Sequence, residues 1–405
     1  MKFSIFYEQQ LPKPWSDGDE VTLFSNALEQ VELADRLGYD KVWAAEHHFL
    51  PEYSHSSAPE LFLAAATQRT SRIRLGHGII QATTNHPARI AERIATLDVL
   101  SNGRAELGLG EGQGMMELEP FGVTMEEKRA RFEDTVRATL PMLYNDSWEY
   151  AGPYLNVPRR TVVPHPVQKP HPPLSVACTK VKTIRDAGAW GMGVLGFAFA
   201  SPERARVWVS AYYNEYLLRP RRLTDYQPNP NIAVASYFMC APNDEEAVRR
   251  NDGSTFFEFS LGQYSRKILT STTDSLWERY QQWRQTEEGR AKSEKPIGLI
   301  GSPERLRRKV QQMADSHVDE IVLLVQTGKS KHEQMCESLE LFAREVMPAF
   351  QDDPEHDAWK RDVLDGRIVL DDPSDDDLAV DGERMPGPPR AAVPSAVARS
   401  GSVDA

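Results

Sequence analysis

The run Gly38-Tyr39-Asp40-Lys41-Val42-Trp43-Ala44-Ala45-Glu46-His47-His48-Phe49 decides the fold. Gly38 stands where a helix stop is expected, because residues 21–37 place Leu23, Leu28, Val31, Ala34 and Leu37 at helical spacing before it. Residues 41–45 form a short apolar run of strand length. Glu46-His47-His48-Phe49 then leaves that strand on polar, titratable side chains. Outward from this phrase the same succession of strand and helix repeats. Residues 2–7, 73–76 and onward, 104–109, 174–177, 192–195, 232–239 and 320–326 read as further strands. Helices are expected over 59–70, from Pro87 onward, and over 125–144, 180–188, 202–218, 303–316 and 332–346, with another starting near Asn243. Pro87 suits a first helical turn. Such alternation predicts a parallel sheet with helices on its faces. About eight units favour a closed eight-stranded parallel β/α (TIM) barrel over an open sheet, and residues 1–350 supply the length it needs.

Two stretches interrupt the pattern. The Pro-rich residues 153–173 read as a long loop, since the alternation resumes after them. Residues 253–295 read as an irregular insertion before the last strand, rich in aromatics from Phe256 to Trp283. Past Phe350 the chain turns acidic and then Pro/Ala/Ser-rich, so residues 351–405 are expected to be a disordered tail.

The net charge is −12, and residues 352–405 alone carry 14 acidic and 6 basic residues, which leaves the body near neutral. That argues against nucleic acid as a partner, because phosphate binding needs clustered Lys and Arg. The apolar stretches fall short of the roughly 20 residues of a membrane helix, so no membrane is expected. Cys178, Cys240 and Cys336 lie far apart with no CxxC pair, which suggests neither disulfides nor a zinc ribbon and fits a cytoplasmic protein.

In a β/α barrel the chemistry sits at the C-terminal ends of the strands. Four such places carry candidates. At Glu46-His47-His48 adjacent side chains of an extended chain point to opposite faces, so the two histidines would not converge on a metal. His47 is the candidate for acid–base work, and His48 is expected to hydrogen-bond within its loop. Gly76-His77-Gly78-Ile79 has glycines that admit a flat ligand close to the backbone, with Asn85 expected to cap the helix at Pro87. Gly108-Leu109-Gly110-Glu111-Gly112 clears one face of side chains but is no dinucleotide fingerprint, and its plainer reading is a tight strand end. Cys178-Thr179-Lys180 brings a hydroxyl, a cation and helix N–H groups together, which is a phosphate site or a plain N-cap by Thr179.

These residues resemble the luciferase-like flavin-dependent monooxygenases. The resemblance runs through Gly38–Phe49, His86-Pro87, Leu97-Asp98, Ser101-Asn102-Gly103-Arg104, Ile300-Gly301-Ser302-Pro303-Glu304 and the run Glu337 to Phe342, and covers about residues 1–350. It implies a β/α barrel, a homodimer, and a two-component monooxygenase. Such an enzyme takes reduced FMN from a separate flavin reductase and oxidises a small organic substrate with molecular oxygen through a flavin hydroperoxide. It places His47 and Glu46 near the flavin, a non-proline cis peptide at Gly78–Ile79 under the ring, and Thr179 at the phosphate. The sequence departs from the family in one respect: where luciferases carry a phosphate-binding arginine it has Glu111. Phosphate binding then falls to Thr179, Lys180 and the helix N-terminus, and Glu111 becomes a candidate for contact with substrate or ring. Enzymes using a deazaflavin as hydride carrier resemble the chain in fold and in glycine-rich strand ends, and a non-catalytic flavin-binding protein is a third reading. The aromatic insertion from Phe256 to Trp283 is a candidate lid that keeps water from the site, or its aromatics simply pack it onto the barrel.

Overall fold

The computed structural model describes residues 1–197, 201–265, 275–295 and 297–374. Its strands are β1 (Lys2–Tyr7), β2 (Lys41–Ala44), β3 (Arg74–Gln81), β4 (Ala105–Gly110), β5 (Ser147–Ala151), β6 (Asn156–Thr161), β7 (Leu174–Cys178), β8 (Gly193–Gly196), β9 (Ile232–Cys240), β10 (Leu299–Gly301) and β11 (Glu320–Gln326). Eight of them pair in parallel as β1-β2-β3-β4-β7-β8-β9-β11, and β11 returns to β1 to close the barrel. Strand ends are set by local chemistry. Gly38 ends the helix Asp19–Leu37 with φ of 86°, and Pro59, Pro87, Pro202 and Pro303 open the helices between strands.

The N-terminal end of the barrel is filled by charge. Lys41 Nζ lies 3.2 Å from Glu106 and 3.0 Å from Glu320, and the Trp43 indole donates to Glu320 at 2.9 Å. Burial opposes the charge on Lys41, but the two carboxylates overcome it and hold its pKa above the usual lysine value. Above this layer Trp43 fills the barrel so closely that a Cβ on Gly76 would stand 2.3 Å from its ring.

The structure differs from the sequence expectations in four places. The Pro-rich stretch contains β6, which pairs with β5 in an antiparallel hairpin. The three-residue β10 extends β9 outside the barrel. In its described residues the insertion is helical, not irregular: Asp252–Ser265, Leu276–Trp283 and Glu287–Glu294 are helices, and Phe256, Trp277 and Tyr280 pack on one another, while residues 266–274 lie outside the described residues. The tail is ordered at its start. Asp353 caps a helix over Pro354–Leu364, whose Trp359 stacks on His317 at 3.7 Å and whose Lys360 reaches Asp319 at 2.7 Å. Composition averaged over the tail hid this amphipathic segment. Residues 375–405, also expected to be disordered, lie outside the described residues.

Candidate active site

His47 leaves the C-terminal end of β2 and is partly exposed at the barrel mouth. Its Nδ1 lies 2.9 Å from Glu117 Oε1, and its Nε2 lies 3.4 Å from Glu8 Oε2. Glu8 follows β1, and Glu117 sits on the short helix Met115–Leu118 after β4. Burial disfavours a charged imidazole, but these two carboxylates outweigh it, so the His47 pKa rises well above the ordinary histidine value. Glu117 is shifted the opposite way: burial raises its pKa, and the His47 charge together with hydrogen bonds from His47, the His48 N–H and Gln81 brings it below normal. The pair is an imidazolium held against a carboxylate. His48 turns away and meets Glu46 Oε1 at 3.0 Å, so the two histidines diverge as strand geometry dictates.

Glu46 is buried and does not face the mouth with a free oxygen. Oε1 accepts from Asn85 Nδ2 at 2.8 Å, and Oε2 accepts from the Gln81 N–H at 3.0 Å. Its place is beneath the site, where it ties β2 to the end of β3. Asn85 does not cap the following helix. His86 does, accepting from the Ala88 N–H at 3.2 Å, and Asn85 spends its amide on Glu46 and its carbonyl on Arg93.

The Gly78–Ile79 peptide is cis, as the resemblance implied. A Cβ on Gly78 would stand 3.1 Å from Phe6 and from Trp43, while Ile79 is half-buried beside it. In β4 the plainer reading of the glycines holds. A Cβ on Gly108 would meet the His77 carbonyl at 2.1 Å, and one on Gly110 would meet the Ile79 side chain at 2.7 Å, so strand packing already occupies that face.

Glu111 stands apart from His47 and is paired with a cation. Its carboxylate takes a 2.6 Å bond from Arg129, with Lys128 at 3.8 Å, and does not join the His47 cluster. Arg129 also reaches Glu133 at 3.1 Å and Asp186 at 2.7 Å, and its guanidinium lies over the Trp190 ring. The Glu111 side chain is thus spent on a packing network between elements. Thr179 and Lys180 are both exposed where the helix Val181–Trp190 begins, with Lys180, not Thr179, at the cap position. Sequence reading missed Glu8, Glu117 and Gln81. Glu8 could have been found by its place at a strand end. Glu117 could not, because nothing in Glu111-Gly112-Gln113-Gly114-Met115-Met116-Glu117-Leu118-Glu119 marks which acid turns inward. Among the described residues no three His, Cys, Asp or Glu side chains gather as metal ligands, and no helix is long and apolar enough to cross a membrane.

A closed parallel barrel with a charged histidine and buried carboxylates at its C-terminal mouth defines a catalytic β/α barrel. The sequence profile of the luciferase-like monooxygenases matches residues 1–320, and the chain belongs to that family. The protein named flavin-dependent trigonelline monooxygenase, oxygenase component, of Acinetobacter baylyi is 24% identical over 87% of this chain and 96% of its own length. The protein y4wF of Sinorhizobium fredii is 34% identical over 42% of this chain; the match spans about half of that relative, 50%, and a similar share, 47%, of its companion y4vJ. Monooxygenase RslO1 from Streptomyces bottropensis has a crystal structure that covers 86% of this chain and 100% of its own at 26% identity, with a TM-score of 0.72. An F420-dependent glucose-6-phosphate dehydrogenase of Amycolatopsis mediterranei is 28% identical over 42% of this chain and 52% of its own length.

Proposed function

We propose that this chain is the oxygenase component of a two-component flavin-dependent monooxygenase, which takes reduced FMN from a separate reductase and oxidises a small organic substrate with molecular oxygen. The observation that carries the reading is the His47 ring, held between Glu117 and Glu8 at the barrel mouth. The relative from Acinetobacter baylyi, named as an oxygenase component, supports it over nearly the whole chain.

The residues present fit a flavin. Ile79 offers a half-exposed apolar surface beside the cis peptide, while the face of Gly78 is filled by Phe6 and Trp43. Thr179, Lys180 and the N-terminus of the helix Val181–Trp190 would hold the phosphate. Arg129 would not, since its nitrogens are committed to Glu111, Glu133 and Asp186. Reduced FMN supplies the electrons that activate oxygen. His47 supplies a proton at Nε2, the nitrogen held more loosely, while Glu117 fixes the ring through Nδ1. Gln81 and the His48 N–H fix Glu117 in turn. The insertion excludes water from this corner.

A second reading, hydride transfer from a deazaflavin, is favoured by the Amycolatopsis mediterranei relative. Anaerobic titration with reduced FMN and, separately, with reduced deazaflavin tests both. Tight binding of reduced FMN and oxygen uptake on aeration is the expected result; binding of the deazaflavin alone would sink the monooxygenase reading. For assembly we infer a homodimer, as the family resemblance implies, supported by exposed Leu61, Val99 and Leu100 on neighbouring helices. Light scattering that returned the monomer mass at micromolar concentration would overturn it.

A further inference from the structure

We propose that Glu52 is the positioning residue that clasps the helical insertion to the barrel mouth and, through Tyr53, keeps His47 in register. Glu52 is 1% exposed, yet it sits in a turn at the surface end of the loop after β2. Its φ is 62°, a left-handed conformation that costs a non-glycine residue energy and persists only where surroundings enforce it. The enforcing contacts are three backbone N–H groups from two distant segments. Oε1 accepts from Leu276 at 2.7 Å; Oε2 accepts from Trp277 at 3.0 Å and from Lys13 at 2.9 Å. Leu276 and Trp277 open the helix Leu276–Trp283, whose positive end favours a carboxylate. Lys13 lies in the loop after β1. One buried carboxylate therefore gathers the loops after β1 and β2 and the insertion into a single body.

The next residue carries that junction to the catalytic histidine. The Tyr53 ring meets His47 edge-on at 5.3 Å and stacks on Phe257 of the insertion at 5.3 Å, with Tyr264 at 5.2 Å on its edge. Tyr264 Oη donates to the Pro51 carbonyl at 2.9 Å, which adds a second stitch between the insertion and the same turn. Charge-assisted bonds from a buried carboxylate are among the stronger ones, and leaving their N–H groups unpaired is costly. Releasing Glu52 frees the start of the helix Leu276–Trp283 first and Tyr53 next. The clasp itself is independent of the chemistry; its effect on turnover rests on the monooxygenase reading above.

The test uses the full chain and two variants. Glu52→Gln keeps the volume but puts an NH2 group against backbone donors. Leu276→Pro keeps Glu52 and deletes one donor at a first-turn position that tolerates proline; Ser275 before it has ψ of 115°, which suits a residue preceding proline. Hydrogen exchange on flavin-free protein reads the clasp. The expected result is exchange faster by about tenfold or more over 276–283 in both variants, with the barrel strands unchanged. Unchanged exchange at 276–283 in both variants overturns the clasp, and acceleration spread evenly over the barrel does so as well, since Glu52 would then hold the whole fold. With reduced FMN and oxygen alone, the expected result is hydrogen peroxide released about tenfold faster than from the native protein, with reduced-FMN affinity kept. A loosened insertion with unchanged peroxide release overturns the link to His47. Failure of the native protein to bind reduced FMN overturns the monooxygenase reading and leaves the exchange result standing.

Discussion

His47 draws its charge from partners that converge only in the fold, Glu8 before it and Glu117 seventy positions after it. Its raised pKa favours the protonated ring, and the stability His47 gains from that pairing is full just below the ordinary histidine value, where the carboxylates are still ionised, and is lost as pH rises through the raised value. Turnover is expected to show an alkaline limb set by His47. Replacing Glu117 with Gln removes the nearer carboxylate, so that limb moves toward neutral pH and coupled turnover falls roughly tenfold; replacing His47 with Gln lowers it by about 10²–10⁴-fold. A pH–rate profile of the Glu117→Gln protein that overlays the native one would refute the assignment. At this scale the sequence revealed His47, because a titratable residue at a strand end is visible in one dimension. It did not reveal the Arg129 partner of Glu111, because the two lie eighteen positions apart and meet only in the fold.

The glycines of β3 and β4 show what an element asks of its residues. Gly76 makes room for the Trp43 ring and Gly108 for the His77 carbonyl. A ring has some freedom to shift, whereas a strand carbonyl has little. Gly76→Ala is expected to destabilise by ~1–3 kcal/mol and Gly108→Ala by more, read from thermal melts. Equal melting of Gly108→Ala and native protein would mean that the strand pair gives way more easily than its geometry states. Strand and helix order was legible because period and punctuation repeat with each unit. The helices of the insertion were not, although Leu276, Tyr280 and Trp283 stand at helical spacing, because the helix that carries them spans only eight residues and its apolar side chains are mostly aromatics, which suit a strand as well as a helix.

The helix Pro354–Leu364 belongs to the molecule as a whole, since it packs through Trp359 and Lys360 onto the residues that lead into β11. Asp319 holds it there. Burial raises the Asp319 pKa, but Lys360 and His356 outweigh that and bring it to about 2. Its contribution to stability is therefore present above the ordinary aspartate value of 3.8 and is lost as pH falls from there toward 2. Asp319→Asn is expected to cost ~3 kcal/mol at neutral pH. The gap between the two melting curves should narrow across that acid window; a gap independent of pH would argue against the ion pair as its source.

The opposite end of the barrel carries the remaining consequence. Lys41, Glu106, Glu320 and Trp43 leave the floor packed and electrically satisfied, so among the described residues that end of the barrel is closed to a ligand. Under the proposed function, cofactor, substrate and product share the mouth beside His47, where the insertion packs on Tyr53 through Phe257 and Tyr264. Traffic through a shared mouth is sequential, so the bulky cofactor is seated before the substrate, and each product leaves the way its substrate came. Release through that mouth is then a ceiling on turnover that no improvement at His47 raises.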